Sequence, residues 1–356
     1  MNIGNHKVWQ VAAGDTNRNY SDLCLEWDVI LNGPGSQGPW PDCCDALLNG
    51  RGLSSRKKSD IRRFAETIAE NDIIVLRMGT TDVLGVGIVV GDYDWRDEFG
   101  DVDGWDLQHT RRVRWVWKHN GNPQRFDTYT LKRGDTAQEV DSEEIIEWIR
   151  ALRAADEDMN PTVRDLPKPS RAISIEEISQ YLFDKGVASG SIERLTDQIG
   201  ELIRIAKWYQ DTRIKPSETE TVAYLVIPLL RALGWTPQKM AVEWRHVDVA
   251  LFKTLPRKNA NLLVVVEAKK KDRSCLNAKS QAQAYAEQPG REGCDRLIVT
   301  DGIRYGVYFK REGRFQDHPN AYLNLTRMRE SYPVLDPNCG GAKGAFLYLS
   351  ADWNVQ

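Results

Sequence analysis

Two apolar runs joined by a short loop constrain the fold of this chain more than any other feature. Residues 247–252 and 262–271 each begin with a series of apolar and β-branched side chains, which favours buried strands. The connecting residues 253–261 include a proline, asparagines and three basic residues, as turns and loops do. The simplest arrangement is an antiparallel hairpin. Folding about the middle of the loop would place Asp248 opposite Glu267, with their Cβ atoms roughly 5 Å apart.

Charged side chains gather at one end of this hairpin. Two carboxylates that face each other repel, and a buried unpaired carboxylate is costly or becomes protonated, so a cation is expected between them. Lys269 is two residues beyond Glu267 and therefore points to the same face of the strand. Two carboxylates suit Mg²⁺, and a lysine beside them can orient a water or stabilise developing negative charge. The alternative is a solvated strand end with an ordinary Glu–Lys pair.

The motifs around the hairpin resemble those of a nuclease family. Residues 217–221 (SETET) and 227–235 (IPLLRALGW) resemble the first helix of the PD-(D/E)xK nuclease domain at the start of type I restriction motor subunits. Residues 281–286 (QAQAYA) are similar to the Q-x-x-x-Y-A helix of that family. Residues 296–302 (RLIVTDG) are similar to its next strand and T-(N/D)-G turn, and the motifs follow in the family's order.

This resemblance implies an α/β nuclease domain with a mixed central sheet over residues 216–356. The catalytic positions that it implies are Glu218, Asp248, Glu267, Lys269 and Gln281. Asp248, Glu267 and Glu218 would hold Mg²⁺, Lys269 would be the catalytic lysine, and Gln281 would support the site. Glu220 competes with Glu218 for the helix position. Residues 322–325 and 346–349 are expected to add strands.

The first third of the chain predicts a small α+β barrel. Strands are predicted at 7–13, 29–31, 72–77, 84–90 and 113–117, with an amphipathic helix at 60–70. Gly87 lies inside one of these strands, which indicates a bulge or strong curvature. Short curved strands with one or two helices are typical of small barrels.

This part also resembles a known family. Residues 8–11 with Gly14, and then residues 71–76, 85–93 and 111–115, resemble an EVE-type domain of the PUA/YTH-like superfamily, whose small barrels hold modified bases. The chain has Asn-Asp at 71–72 where the family usually has Gly-Asp, and residues 96–106 have no counterpart that we can place. The resemblance implies a domain that binds a modified base.

Aromatic and polar residues supply candidates for such a base pocket. Seven of the 12 tryptophans lie in the first 120 residues, and an extruded base needs flat partners and a few polar groups at its edge. The pocket residues that we predict are Asp15, Asn17, Trp40, Asp82 and Trp95. Core or surface packing is the competing interpretation for Trp40 and Trp95, and Trp9, Trp115 and Trp117 are assigned to the core.

The net charge of −3 does not by itself indicate nucleic-acid binding. Basic residues nevertheless cluster in both halves, and such clusters can contact phosphates even in an acidic protein. The candidates for contact with the DNA backbone are Arg56, Lys57, Arg111, Arg112, Lys270 and Lys271. A solvated surface is the usual alternative for any one of these clusters.

Residues 136–215 are predicted to form a helical connector between a domain at 1–135 and the domain at 216–356. The connector contains an acidic helix at 143–154, a proline-containing linker at 159–170, and helices at 174–186 and 191–209. The last two could pack within the chain or on a second copy. A homodimer would supply one active site for each DNA strand, although a helix with one apolar stripe more often docks within its own chain.

The combined pattern predicts a modification-dependent restriction endonuclease. The N-terminal barrel would flip and bind 5-methylcytosine or N6-methyladenine in double-stranded DNA, and the C-terminal domain would hydrolyse phosphodiesters with Mg²⁺. One alternative is a Mg²⁺ nuclease whose barrel binds RNA or unmodified DNA in defence or repair. Another is a non-catalytic nucleic-acid-binding protein. The sequence has no nucleotide-triphosphate motif, membrane span, signal peptide or paired cysteine motif, so we expect a cytoplasmic enzyme without a motor of its own.

Overall fold

The computed structural model of the protein describes residues 1, 3–15, 18–43, 54–152, 163–212, 214–271 and 273–354. The chain forms two compact units, Met1–Pro167 and Lys168–Gln356. The predicted connector is divided between them. Its acidic helix packs in the first unit, and its two later helices pack in the second, because their apolar faces belong to different cores.

The first unit is built mainly from strands. They are β1 (Val8–Ala12), β2 (Gly14–Asp15), β3 (Arg18–Asn19), β4 (Val29–Asn32), β5 (Ile73–Met78), β6 (Asp82–Trp95), β7 (His109–Lys118), β8 (Gln124–Arg125) and β9 (Ala137–Glu139). The helices of the described part are α1 (Ser21–Glu26), α2 (Ser55–Arg62), which continues as a π-helical turn (Arg63–Thr67), and α3 (Glu143–Ala151). The observed α2 thus begins before the predicted helix and ends earlier.

Seven of these strands form one curved sheet in the order β4-β7-β6-β5-β1-β9, with β8 paired to β6. Only β1 and β5 are parallel among these pairs. The register of β6 with β7 shifts between Val86 and Gly87, and a Cβ at Gly87 would lie 2.5 Å from Val113 Cγ1. Gly87 therefore allows the close approach and curvature that the sequence predicted. The sheet curls into a half-barrel, which confirms the coarse α+β prediction.

The concave part of this sheet is filled by apolar side chains. Val75, Val86, Ile145 and Ile149 are completely buried in one cluster, which ties α3 to the sheet. Trp9 is also buried, and its indole N–H donates to Asp72 Oδ2 at 2.7 Å. A buried indole needs such a partner, so Trp9 has the structural role predicted for it.

The second unit contains a mixed sheet with helices on both faces. Its strands are β10 (Met240–Trp244), β11 (Val247–Phe252), β12 (Leu262–Ala268), β13 (Arg296–Thr300), β14 (Arg304–Arg311), β15 (Arg314–Phe315) and β16 (Ala321–Asn324). Its helices are α4 (Ile175–Asp184), α5 (Ser189–Asp211), α6 (Glu218–Thr221), α7 (Ile227–Ala232), α8 (Lys279–Ala286) and α9 (Ala342–Leu349), with a π-helical turn (Val222–Val226) joining α6 to α7. None of the helices in the described ranges is long and apolar enough to span a bilayer.

The strand order is β10-β11-β12-β13-β14-β15, and β16 also pairs with β14. Strands β11 and β12 are antiparallel, with Val249 opposite Val266 and Ala250 opposite Val265, so the predicted hairpin is confirmed. Strands β12 and β13 are parallel, which makes the sheet mixed. Alternate residues enter different cores, as the strand period requires: Val249 and Val266 face one apolar cluster, whereas Ala250 and Val265 face the other.

The structure decides two predictions, one about the packing of two helices and one about a strand. Helices α4 and α5 pack within the chain, since Leu182, Leu195 and Leu202 are buried in the same core as strands of the second sheet. The strand expected at 346–349 is wrong, because these residues belong to α9. Ala342, Ala345, Phe346 and Leu349 recur at helical spacing and are all fully buried, so the periodicity of the whole segment outweighs its short apolar end.

Replacing Leu195 with alanine should destabilise the second unit by about 2–5 kcal/mol, because the side chain is fully buried and its loss leaves a cavity. Urea denaturation followed by circular dichroism measures this. Lys207→Ala, at an exposed position of the same helix, is the control and should change stability by less than about 0.5 kcal/mol. A denaturation midpoint that rises with protein concentration would instead place α5 in a subunit interface.

Candidate functional site

The end of the β11–β12 hairpin brings two carboxylates together. The register that pairs Val249 with Val266 places Asp248 opposite Glu267 when it is carried one residue further. Asp248 Oδ2 accepts a hydrogen bond from the Ala268 backbone N–H at 2.7 Å. Glu267 is only 3% exposed, and its Oε2 is buried without a hydrogen-bond partner. An ionisable group that is both buried and incompletely bonded is unusual in a structural role.

The electrostatics of this pair favour protonation. Burial, followed by the negative charge of Asp248, raises the pKa of Glu267 to about 7. Burial also raises the pKa of Asp248, and the Ala268 N–H and the Lys269 ammonium oppose that rise. Strongly perturbed carboxyl pKa values are a feature of functional sites, because burial and a neighbouring like charge disfavour the ionised forms.

Lys269 lies on the same face as Glu267, as its two-residue spacing predicted. Its Nζ donates to Glu267 Oε1 at 3.0 Å and to Gln281 Oε1 at 2.8 Å. The amide nitrogen of Gln281 donates to the Tyr285 hydroxyl at 3.2 Å. The ammonium is therefore held in a defined position by α8. Tyr285 is the tyrosine of the Q-x-x-x-Y-A motif, but the sequence analysis gave it no role in the site, although its four-residue spacing from Gln281 places both on one helix face.

The two candidate glutamates of α6 have different surroundings. Glu220 forms a capping box with Ser217: its carboxylate accepts from the Ser217 N–H at 2.8 Å. Glu218 is partly buried, and its negative charge contributes to the raised pKa values of both Asp248 and Glu267. Glu218 therefore lies near the carboxylate pair, while Glu220 is occupied at the start of the helix.

The chain that leaves β12 is anchored on both sides of Lys269. The Lys269 N–H donates to the Thr300 carbonyl at 2.7 Å. Lys271 is buried, and its ammonium donates to the carbonyls of Tyr209, Gln210 and Thr212 at the end of α5. Cations are favourable at a helix C-terminus. Lys271 thus ties α5 to the candidate site and is not available in this structure for the phosphate contact predicted from sequence.

The carboxylate pair has the chemistry of a Mg²⁺ site. Carboxylate oxygens suit this hard cation, and the unpartnered Oε2 of Glu267 is an acceptor without a donor. The described part of the chain has no group of three or more His, Cys, Asp or Glu residues arranged to hold a metal ion. Mg²⁺ in phosphate-processing sites is usually bound by one or two carboxylates, with waters and substrate phosphate completing its shell. Asp248 and Glu267 fit that pattern.

The predicted base-pocket residues do not all converge. Trp40 and Trp95 join the loop after β4 to the end of β6: the Trp40 backbone N–H donates to the hydroxyl of Tyr93 in β6, and the Trp95 indole donates to the Gly35 carbonyl in the loop. Asp82 begins β6 and Trp95 ends it, so these two residues are separated by roughly 40 Å of strand. Asp82 and Trp95 are too far apart along the strand to contact the same base.

The remaining pocket candidates are also separated or occupied. Asp15 is exposed and accepts from Arg18 at 2.9 Å, and Asn17 lies outside the described residues. Near Trp40, the Tyr93 hydroxyl is 2.7 Å from His109 Nδ1. Burial lowers the pKa of His109 to about 4, which keeps its ring neutral. Of the predicted pocket residues, the structure brings only Trp40 and Trp95 near each other within the described part, and Tyr93 and His109, which were not predicted, lie beside them; we call these four residues the aromatic group.

Most of the predicted DNA-backbone residues make internal contacts. Arg111 is buried, and its guanidinium donates to the carbonyls of Phe64 and Ala65. Lys57 donates to Asn32, Asp60 and Thr136, and Arg112 to backbone carbonyls. Arg56 pairs with Asp135. Lys270 is exposed, so it is the member of the predicted set that is most open to a phosphate.

Comparison with known proteins adds limited information about this chain. Residues 9–138 match the model of a family described as "Domain of unknown function (DUF8426)". No curated protein matches the sequence. Among solved structures, the chain is similar to a fragment described as the HsdR subunit of a type I restriction enzyme from Vibrio vulnificus YJ016, with 20% identity and a TM-score of 0.23. The match covers 35% of this chain and 25% of that chain. The site chemistry is therefore the basis for a functional proposal.

Replacing Glu267 with glutamine should stabilise the protein at about pH 8 by roughly 3 kcal/mol, since each pKa unit corresponds to about 1.4 kcal/mol. The folded state holds the Glu267 proton up to a pH of about 7, whereas the unfolded state releases it near the ordinary pKa of 4.5. The free energy of unfolding of the parent therefore falls as pH rises from 4.5 to about 7. The stability gain of the variant disappears as pH is lowered toward 4.5.

Urea denaturation of both proteins at about pH 5 and about pH 8 measures this effect. Glu243→Gln removes a carboxylate from an exposed position close to the site and is the matched control, with an expected change below about 0.5 kcal/mol at either pH. A Glu267→Gln gain that is equal at both pH values would contradict the assigned protonation.

Proposed function

We propose that this protein is a Mg²⁺-dependent endonuclease that cleaves DNA carrying a modified base. The observation that carries the nuclease proposal is the buried Glu267 carboxylate, with one unpartnered oxygen, opposite Asp248 and hydrogen-bonded to Lys269. Purely structural sites rarely combine two facing acids with an ammonium in this way. The order of motifs around these residues resembles PD-(D/E)xK nucleases, which supports the same chemistry.

Each residue of the site has a distinct task in phosphodiester hydrolysis. Asp248 and Glu267 would hold Mg²⁺, and the nearby negative charge of Glu218 would add to the attraction for the cation. The bound cation would polarise a phosphate oxygen and lower the pKa of a water. Lys269 is oriented by Glu267 and Gln281, so its ammonium can position the attacking water or stabilise charge on the phosphoryl oxygens. The Ala268 N–H holds one oxygen of Asp248 in place.

Deprotonation of Glu267 couples this activity to pH. Mg²⁺ binds the ionised carboxylate, and the pKa of this group is raised to about 7. Metal binding therefore competes with a proton, and the apparent affinity for Mg²⁺ should rise as pH increases through neutrality. The same competition would make a costly buried acid useful, because Glu267 offers an oxygen without a hydrogen-bond donor as a possible ligand.

The N-terminal unit would supply recognition of the modified base, 5-methylcytosine or N6-methyladenine. The curved sheet and the aromatic group of Trp40, Tyr93, Trp95 and His109 support this role, because a flipped base is held by flat side chains and a few polar groups. Both indole N–H groups are already hydrogen-bonded within the protein, Trp40 to Glu66 and Trp95 to Gly35. Contact with a base would therefore use the ring faces.

A second candidate is a Mg²⁺ nuclease whose N-terminal unit binds RNA or unmodified DNA. The separation of Asp82 from Trp95 along β6 favours this alternative, since fewer polar groups are then available to distinguish a modified base. A comparison of methylated and unmethylated substrates separates the two candidates.

Lys269→Ala should reduce Mg²⁺-dependent cleavage of plasmid DNA by about 10²-fold or more, because it removes the ammonium beside the scissile phosphate. Cleavage rates measured over a range of Mg²⁺ concentrations test this. Lys239→Ala removes an exposed lysine of the same unit and serves as the control. Cleavage by Lys269→Ala at the parental rate would eliminate the proposed mechanism.

The parent should cleave a plasmid that carries 5-methylcytosine or N6-methyladenine and leave the unmethylated plasmid intact. Trp40→Ala and Trp95→Ala should each lower the ratio of cleavage of methylated to unmethylated plasmid. Any remaining cleavage should still depend on Mg²⁺, because both substitutions alter only the N-terminal unit. Gel analysis of matched plasmids measures the ratio. Equal cleavage of all plasmids by the parent would support the second candidate instead.

A further inference from the structure

Two arginines of the second unit converge without an acidic partner. Arg245 and Arg291 donate to the same acceptor, Asn259 Oδ1, at 2.9 and 3.4 Å. Their guanidinium carbons lie 4.9 and 5.1 Å from the centroid of the Trp244 ring. Two like charges thus share one amide oxygen and one indole. We refer to Trp244, Arg245, Asn259 and Arg291 as the arginine cluster.

The positive charge of this cluster is poorly compensated. Arg291 is only 1% exposed, and a guanidinium that is so deeply buried ordinarily pairs with a carboxylate. Its partners are neutral oxygens, Asn259 Oδ1 and the Tyr285 carbonyl at 2.7 Å from Nη1. Across the described ranges, neither arginine forms an ion pair with a carboxylate. Burial and then the charge of Arg245 lower the pKa of Arg291, as expected for neighbouring cations.

The backbone that presents Arg245 is strained. Trp244 pairs with Val247, so Arg245 and His246 form a two-residue turn, and both have positive φ angles, 48° and 71°. Turns with this conformation favour asparagine and glycine, because larger side chains crowd the backbone there. Residues that retain such a conformation cluster at functional sites. Arg245 therefore occupies a position for which local stability alone would select a different residue.

The arginine cluster is connected to the carboxylate site through α8. Gln281 contacts Lys269 through its side chain, and Tyr285 lies one helical turn further along. Tyr285 bonds to Gln281 through its hydroxyl and to Arg291 through its carbonyl. One turn of helix advances about 5.4 Å, while phosphates of one DNA strand are spaced about 3.4 Å along the duplex axis. The step along α8 from Gln281 to Tyr285 is therefore comparable in length to a few nucleotides of DNA.

We propose that Arg245, with the buried charge of Arg291 beside it, binds a backbone phosphate of the nucleic-acid strand that the neighbouring carboxylate pair cleaves. This proposal rests on the proposed nuclease function. The planar guanidinium fork matches two phosphate oxygens. Arg291 is held rigidly by burial, and the exposed Arg245 completes the pair from the turn. The bound phosphate supplies the negative charge that the protein itself does not place there.

Arg245→Asn in the full-length protein tests the role of this pair. Asparagine suits a positive φ, so the thermal midpoint should stay equal to that of the parent or rise. Binding of a short fluorescent DNA duplex is measured without divalent metal, so that cleavage does not contribute. Affinity should fall about tenfold at low salt, and the slope of log K against log salt should decrease by about one. Arg314→Gln, which removes an exposed arginine from the opposite edge of the sheet, should change neither quantity.

An unchanged affinity and salt slope in Arg245→Asn would overturn the proposal, as would failure of the parent to bind the duplex. Inorganic phosphate is the second probe. If it raises the thermal midpoint of the parent but not of Arg245→Asn, while duplex affinity is the same in both, the cluster is a free-anion site and the strand assignment is wrong. Failure of the nuclease proposal is distinguishable, because the parent would then bind the duplex through Arg245 without cutting it.

Discussion

The facing carboxylates of Asp248 and Glu267 are the constraint on which the second unit depends. Burial and mutual repulsion make this pair costly to ionise, and only a well-packed sheet can hold it in place. The two apolar clusters on either side of the sheet provide that support. The Ala268 N–H donates to Asp248, and Lys269 donates to both Glu267 and Gln281. The unpartnered oxygen of Glu267 lowers stability, and under the proposed function this cost serves metal binding.

Cationic side chains in this protein have two different uses. Lys57, Arg111 and Lys271 bind carbonyls or side chains inside the protein, where they connect helices to strands. Arg245 and Arg291 have neutral partners, and the exposed Arg245 is the one that an anion can reach. Clusters of basic residues in the sequence are therefore not enough to predict a surface that binds phosphate. What distinguishes the arginine cluster from Arg111 is that two guanidinium groups share one neutral acceptor, Asn259 Oδ1.

Local patterns predicted the hairpin and the contact between Glu267 and Lys269, because strand period and turn composition act over short distances. The two-residue spacing of Glu267 and Lys269 was enough to place both on one face. The base pocket was less predictable: Asp82 and Trp95 are both on β6, but at opposite ends of a strand longer than expected. Residues 346–349 alone predict a strand. Ala342 and Ala345, which precede them, extend the apolar pattern to the period of a helix.

Strand alternation, helix period and the order of motifs are properties of neighbouring residues, so the chain encodes them directly: the β11–β12 hairpin, the direction of Lys269 and the apolar faces of α4 and α5. Contacts between distant segments depend on how the elements pack. Only packing places Lys271 at the end of α5 and Arg291 beside Arg245. Packing also brings Glu218, rather than Glu220, close to Asp248 and Glu267. Burial and charge balance are sums over all surrounding residues, and no local pattern contains them.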